Sequence, residues 1–480
     1  MKLGDIFEKI KGPDAEIEIT GMTADSRKVE PGFLFAALKG VAADGRAYIP
    51  TAIEAGAVAV LGYDLGETVA GVAGIDVPEP RLALAEAAAK FYPKQPATMI
   101  AITGTNGKSS AVDFLRQIWG HCGHKAASMG TLGAVGPQGS IDLGHTTPDP
   151  VAIHSTLEKL AGQGVTHCAM EASSHGLIQY RLDGVRLSAG AFTNLTQDHL
   201  DYHPTFADYR AAKLRLVSDL LPSGAPMIVN ADSDERGVFE RAATRKDCPV
   251  MSVGWRGGDL KISELMPHAT GQKLLLKWRD REAKVDLPLI GEFQALNALT
   301  AAGLALSLGE EFETVLAGMA ALKPVKGRME YVGETGAGAC VFVDYAHTPD
   351  GLDTLLRAAR PHTAGRLILV FGAGGDRDPF KRPLMGEVAM RHADQVIVTD
   401  DNPRSEVPES IRRAILELAP GASDIGDRRD AIFEGVARLK AGDTLLIAGK
   451  GHETGQIVQG KTYPFSDQET ALEALAGGTA

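Results

Sequence analysis

The sequence predicts an α/β protein of three domains: a small α/β unit over residues 1–96, a central segment over 97–328 with a mostly parallel sheet, and a doubly wound segment over 329–480. Three observations carry this. A glycine-bracketed phosphate loop, AITGTNGKSS at Ala101 to Ser110, lies between an apolar run and a stretch of helical period. Short apolar runs recur along the chain, each followed by polar residues. The length of 480 residues exceeds one domain at about 100–200 residues each.

In the first segment, short alternating runs such as Gly32 to Leu38 mix with alanine-rich helical stretches, and Pro93 to Ala97 closes it. The apolar run Met99 to Ile102 then reads as a buried strand feeding the loop. Beyond the loop, apolar side chains at Ala111, Val112, Leu115, Ile118 and Trp119 have helical spacing, ending near Gly120. A phosphate loop needs small residues for converging N–H groups, a lysine for the β/γ charge and a hydroxyl for Mg²⁺. Gly104, Thr105, Asn106, Gly107, Lys108, Ser109 and Ser110 supply these, although only two residues separate the glycines.

Further strands are expected at Val165 to Met170, Ala189 to Asn194 and Met227 to Asn230. After Gly327 and Arg328 the pattern restarts, with strands at Val341 to Val343, Leu367 to Phe371, Gln395 to Thr399 and Thr444 to Ala448. Ligands of such sheets gather beyond the carboxyl ends of the strands.

A formal net charge of −12 argues against a nucleic-acid or anionic-membrane surface and leaves small anions as partners. Four scattered cysteines without a CxxC or a secretory signal point to a reducing, cytoplasmic setting. No apolar run approaches the roughly 18 residues of a membrane span.

Glu171, in CAMEASSHG, ends an apolar strand, where a carboxylate either completes a Mg²⁺ shell begun by Ser109 or pairs with a nearby base. TNLTQDHLDYH, Thr193 to His203, packs Asp198, His199, Asp201 and His203 together, which suits a metal site or a hydrogen-bonded turn equally. VDYAHTP, GAGGDRD, DDNPRSE and AGKGHE each follow an expected strand of the last segment, so four loops converge on one sheet edge. Arg377 and Arg404 there offer forks for carboxylates, or else an ion pair and a turn cap.

Together GTNGKSS, MEASSHG, TNLTQDHLDYH, the Arg328 of KGRME, DYAHTP, GGDRD, DNPR and GKGHE resemble the Mur ligases of peptidoglycan synthesis, from Asp25-Ser26 to Glu453. The resemblance is greatest to the branch that adds the third residue of the stem peptide. It implies an ATP-dependent amide ligase with an N-terminal domain for a uridine nucleotide, a central ATPase and a Rossmann-like C-terminal domain for the incoming amino acid. ATP would meet Gly104 to Ser110 and Arg328, with Lys108, Lys213 and His199 in catalysis. Mg²⁺ would be held by Ser109, Glu171, His199 and Lys213, the last carrying a CO₂-derived carbamate.

The same resemblance assigns Ala24, Ser26, Thr146, Thr147, Ser173, Gln179 and Arg181 to the uridine-linked muramoyl dipeptide. Val41-Ala42-Ala43 and Ala24 depart from the family pattern. It assigns Arg377, Asp401, Asn402, Pro403, Arg404, Gly449 and Glu453 to meso-diaminopimelate. In this family DNPR accompanies diaminopimelate, whose extra carboxylate an arginine fork binds, whereas lysine ends in an ammonium that arginine repels. Glu453 suits the distal ammonium. The expected state is a cytoplasmic monomer working on small molecules, with domain closure shielding a reactive acyl phosphate from water. The rivals are a lysine-adding ligase, a folylpolyglutamate synthase and a phosphate-loop kinase or switch.

Overall fold

Parallel strands covered on both faces read as continuous apolar runs, and these runs organise the computed structural model, which describes residues 1–40, 43–66, 68–196 and 202–478. Residues 1–258 with 300–315 form one compact unit, and 259–299 with 316–480 the other.

In the first unit a sheet takes the order Gly21–Thr23, Phe33–Ala36, Ala59–Gly62, Val72–Asp76 and Thr68–Val69. All its pairings are parallel except the last. The expected alternation over Gly32 to Leu38 is instead a short strand with Leu34, Phe35 and Ala36 all buried, as a parallel sheet requires. Leu3, Leu34, Leu61 and Leu84 share its core, with Leu84 on the helix Pro80–Phe91.

The larger sheet of this unit runs in the order Val250–Gly254, Met227–Asn230, Ala189–Phe192, Thr98–Thr103, His167–Glu171 and Ala126–Gly130, all parallel. Two short antiparallel strands, Gly133–Gly136 and Gly139–Ile141, extend it. The strand Thr98–Thr103 lies in the interior of this sheet and is buried from Met99 onward, so the loop that follows it opens at a rigid edge. The helix Lys108–His121 buries Ala111, Val112, Leu115, Ile118 and Trp119, as their spacing predicts.

The second unit contains a meander of three antiparallel strands, Leu260–His268, Gly271–Trp278 and Arg281–Leu287, which the sequence reading does not anticipate. Its doubly wound sheet has the order Glu330–Glu334, Cys340–Asp344, Thr444–Ala448, Leu367–Phe371, Gln395–Val398 and Ser423–Asp424. Only the Glu330–Glu334 pairing is antiparallel. A hairpin, Gly455–Val458 with Lys461–Pro464, follows the last long strand. No helix among the described residues is long and apolar enough to cross a membrane.

Candidate active site

The phosphate loop is shaped by two glycines and tied down from behind. Gly104 has φ +153, and a Cβ there would lie 1.9 Å from Thr193 Oγ1. Gly107, at φ +84, caps the helix Lys108–His121 in the left-handed region, which glycine enters without a steric cost. A helix start of this kind is a natural anion seat.

The first half of TNLTQDHLDYH buttresses this loop. Thr105 N–H donates to Asn194 O at 2.8 Å and Asn106 N–H to Asn194 Oδ1 at 2.9 Å. Thr193 Oγ1 donates to Asn106 O at 2.6 Å. Asp198, His199 and Asp201 lie outside the described residues, so the expected role of His199 finds no geometry here. His203 is buried among rings, with centroids 5.2 Å from Tyr209 and 5.6 Å from His175.

Two ammonium groups meet at one carbonyl. Lys108 Nζ donates to Gly104 O at 2.9 Å and to Thr105 O at 2.7 Å. Lys213 Nζ donates to the same Gly104 O at 2.7 Å. Read as a bare helix residue, Lys213 would be solvated; it is 1% exposed and lies 4.6 Å from the Tyr209 ring centroid. A lysine is buried this deeply only where a partner or a function holds it.

Glu171 pairs in register with Ile102, two residues before the loop. It is 2% exposed, and its Oε1 accepts the Thr131 N–H at 2.8 Å. Ser109, at the helix start, and Glu171, at a neighbouring strand end, present hard oxygen donors on the phosphate side of the sheet, a set that fits Mg²⁺.

Beside them the structure gathers five of the residues expected to bind the muramoyl dipeptide. Thr147 Oγ1 donates to Glu171 O at 2.9 Å and accepts from Ser173 N–H at 3.2 Å. Arg181 Nη1 donates to Thr147 O, and Arg181 Nη2 to Gln179 Oε1 at 2.8 Å. Thr146 Oγ1 lies 3.1 Å from Thr131 Oγ1. Sequence reasoning missed Arg81, on the helix Pro80–Phe91, whose Nη1 reaches Gln179 Oε1 at 3.5 Å. Burial, and then the neighbouring Arg81 charge, lowers the Arg181 guanidinium below its usual value, so this corner favours an arriving anion.

Ser26 opens the short helix Ser26–Lys28, capped by Asp25. The Arg27 side chain, by hydrogen bonding, holds the Asp25 carboxyl down at about 2. Ala24 lies next to this turn, and Val41 and Ala42 are outside the described residues.

In the second unit the four expected loops do meet. Gly449 N–H donates to Asp344 O at 3.1 Å, and Gly375 N–H to Asn402 O at 2.9 Å. Asn402 is the hub: its Nδ2 donates to Glu453 Oε2 at 2.8 Å, while its Oδ1 accepts Lys450 Nζ at 3.0 Å and Ile457 N–H at 2.9 Å. Glu453 Oε2 also accepts Lys450 Nζ at 3.1 Å. The oxygen nearest this network is therefore already shared before any amino acid arrives.

Arg404 has φ +53, and its N–H donates to Ile457 O at 2.9 Å. Its Nη1 donates to Gly375 O at 2.7 Å, so the guanidinium points across to the glycine loop. Arg377 is exposed at the same loop, and Pro403 O packs so close to Gly375 that a Cβ there would lie 2.0 Å away. Asp401 Oδ2 is buried without a hydrogen-bond partner and faces Gly449, where a Cβ would lie 2.5 Å from it. Arg328 stacks over Tyr345, 4.9 Å from its centroid.

Three family models match the chain: "Mur ligase family, catalytic domain" over 18–92, "Mur ligase middle domain" over 102–305 and "Mur ligase, glutamate ligase domain" over 327–451. The UDP-N-acetylmuramoyl-L-alanyl-D-glutamate–2,6-diaminopimelate ligase of Brucella melitensis is 52% identical over 99% of this chain and 98% of that protein. The chain is a Mur ligase. The ligase of the same name from Bradyrhizobium diazoefficiens is 52% identical over the full length of both. A solved structure of a UDP-N-acetylmuramoyl-L-alanyl-D-glutamate–2,6-diaminopimelate ligase superposes with TM-score 0.76 at 31% identity, covering 99% of each chain. Folylpolyglutamate synthase of Mycobacterium tuberculosis shares the fold at TM-score 0.62 and 18% identity, over 83% of this chain and 96% of its own.

Within this Mur ligase, Lys450, Arg81 and the hairpin strand Gly455–Val458 are the site elements that motif reading passed over. Lys450 lies inside GKGHE and is fully buried, a signal that only the fold reveals. Gln456 and Ile457 of the hairpin clamp Asp401 and Asn402.

Proposed function

We propose that this Mur ligase uses ATP to join meso-2,6-diaminopimelate to UDP-N-acetylmuramoyl-L-alanyl-D-glutamate, as a cytoplasmic monomer in peptidoglycan precursor synthesis. Residues 1–96 would bind the uridine nucleotide, 97–328 the ATP and 329–480 the amino acid. A γ-carboxylate oxygen of the substrate attacks the γ-phosphorus of ATP, giving an acyl phosphate and ADP. The diaminopimelate amine then attacks the acyl carbon, and phosphate leaves.

Both partners of the first step are anions, so the site must place and neutralise them. Lys108 and the N–H groups of Gly104 to Ser110 would hold the phosphates, with Arg328 as a further ATP contact. Thr146, Thr147, Ser173, Gln179 and Arg181 would orient the dipeptide. Ser109, Glu171, His199 and carbamylated Lys213 would hold Mg²⁺, which supplies charge neutralisation between phosphate and carboxylate. The buried setting of Lys213 supports the carbamate. The Lys213 ammonium would first lose a proton, and the neutral amine would then form an N–C bond to CO₂ and release a second proton, leaving one N–H on the carbamate nitrogen. Its new oxygens would be anionic donors near the Lys108 charge.

The observation that carries the choice of amino acid is Arg404, its guanidinium held at Gly375 O beside the exposed Arg377. That cationic loop suits a distal carboxylate and opposes a distal ammonium. The test is phosphate release from ATP and Mg²⁺ with the uridine-linked dipeptide, comparing meso-diaminopimelate with L-lysine and weighing the amide by mass spectrometry. Release and product with diaminopimelate alone is the expected result; a lysine preference overturns the role of Arg404, and activity with neither overturns the ligase reading.

A further inference from the structure

At the end of the central sheet away from the phosphate loop, three side chains from separate segments converge. The phosphate-loop helix Lys108–His121 ends just before His124. His167 opens the strand that ends at Glu171, a separation of about 13 Å at the usual strand rise. Glu310 follows the helix ending at Ser307.

His124 Nε2 and Glu310 Oε1 are 2.7 Å apart, and the His124 and His167 rings lie 3.9 Å apart at 31°. One ligand-capable atom from each of the three residues falls within 4.8 Å of the others. We propose that His124, His167 and Glu310 form a Zn²⁺ site, distinct from the Mg²⁺ ligands at the phosphate loop.

An ion pair between His124 and Glu310 accounts for two of these groups and gives no reason for the third. The second imidazole lies tilted against the first within ligand reach, and its Nδ1 is engaged by Thr166 Oγ1 at 2.9 Å. Metal-bound histidines are oriented in this way, by a partner on the nitrogen that does not meet the metal. Zn–N and Zn–O bonds of about 2.0–2.2 Å place tetrahedral ligands about 3.4 Å apart, so small side-chain rotations close the set around an ion. Imidazole donors select a borderline cation over Mg²⁺. The side chains of His124 and Glu310 are partly exposed, at 32% and 18%, which leaves an entry path. Trp119 packs against His167 at 5.0 Å as an apolar wall. A bound ion would fasten the far end of the phosphate-loop helix to the strand that carries Glu171.

The test strips the full chain with a chelator, saturates it with Mg²⁺, adds Zn²⁺ and counts retained zinc per chain by elemental analysis, with thermal unfolding alongside. The wild type is expected to hold one zinc more than E310Q or H167A and to gain Tm with zinc where they do not. T166A is expected to bind about 10–100-fold more weakly, and Mg²⁺-supported ligation by all three variants to match the wild type. Equal zinc in wild type and variants overturns the site. Should the variants not fold by circular dichroism, Co²⁺ replaces zinc in the wild type: an intense tetrahedral visible spectrum supports the site, and a weak octahedral one overturns it.

Discussion

Gly130 ends the strand Ala126–Gly130, and the proposed Mg²⁺ ligand Glu171 lies directly over it. An added Cβ would sit 2.0 Å from Glu171 Oε1 and 2.6 Å from both Cδ and Cγ, where real contacts begin at 3.0 Å. Gly130 is not in the left-handed region, so alanine is acceptable to the backbone and the strain falls on the carboxylate. Gly130→Ala therefore pushes the carboxylate by about 1 Å, away from the Thr131 N–H that now fixes it. Overpacking of this size costs about 1–3 kcal/mol of stability, and a misplacement of about 1 Å in a positioned group costs about 10²-fold in rate.

Diaminopimelate-dependent phosphate release measured against Mg²⁺ concentration reads both effects, with circular dichroism as the control for folding. Gly130→Ala is expected to lose about 10²-fold in kcat and to need more Mg²⁺. In a Glu171→Ala background the same change is expected to cost almost nothing further, because the atoms it strikes are gone. A Gly130→Ala enzyme with wild-type rate and Mg²⁺ dependence would refute the placement of Glu171. Fully additive losses in the double variant would do so as well.

Arg404→Ala is expected to raise the KM for diaminopimelate while leaving that for ATP unchanged, since truncating one side of a desolvated charge pair costs about 2–5 kcal/mol. Arg404→Lys should recover only part of this, because it restores charge without the fork; paired titrations of the two substrates check both. Lys213→Ala is expected to abolish amide and phosphate release together, and removal of bicarbonate to slow the wild type reversibly, both read in the coupled phosphate assay. Stability should also fall in mild acid through His362. Its Nε2 accepts the Gly291 N–H at 2.9 Å and its Nδ1 donates to His268 O at 2.8 Å, so only the neutral ring satisfies both. Burial holds this imidazole below its ordinary value of 6.5. The unfolded chain therefore binds the proton first, and the contribution is complete above pH 6.5 and lost as pH falls from there toward the folded value. Its slope is at most about 1.4 kcal/mol per pH unit. Denaturant unfolding of wild type and His362→Ala across pH 5–8 checks this, and the variant should show the shallower dependence.

What the sequence made legible was local. Thr444–Ala448, Leu367–Phe371 and Met227–Asn230 are apolar except for a polar residue at one end of two of them, and appear with the expected bounds, because a strand buried on both faces is built mostly of apolar side chains. The phosphate loop was legible because its glycines, lysine and serine fall within the short segment Gly104 to Ser109. The antiparallel meander does carry a signal: along Gly271–Trp278, buried Leu274, Leu276 and Trp278 alternate with the less buried Lys273, Leu275 and Lys277. Lys213, Arg81 and Lys450 were beyond bottom-up reading. A single cation on an amphipathic element is ordinarily solvated, and only long-range packing decides that Lys213 Nζ meets Gly104 O across 109 positions of sequence.

The four loops proposed to bind the amino acid illustrate why packing has to carry so much of this site. Their residues are short polar segments after four strands, and left alone they would sample many conformations. Arg428 is fully buried beneath them, paired with Asp467 through Nε at 2.7 Å and Nη2 at 2.8 Å. The same Nη2 donates to Ala448 O at 3.0 Å, immediately before Gly449. A buried ion pair adds little to stability against an apolar substitute, yet losing one member costs about 3–5 kcal/mol because the other charge is stranded. Its value here is geometric: two ionic bonds lock the guanidinium, and the guanidinium locks the strand end from which Gly449, Lys450 and Glu453 depart. Through Lys450 and Glu453 that constraint reaches Asn402, and through Asn402 the backbone of the loop that carries Arg404. An arginine far from every recognisable motif thus fixes the loop on which the proposed recognition of diaminopimelate depends, and its strength lies in connecting strands that are distant in sequence.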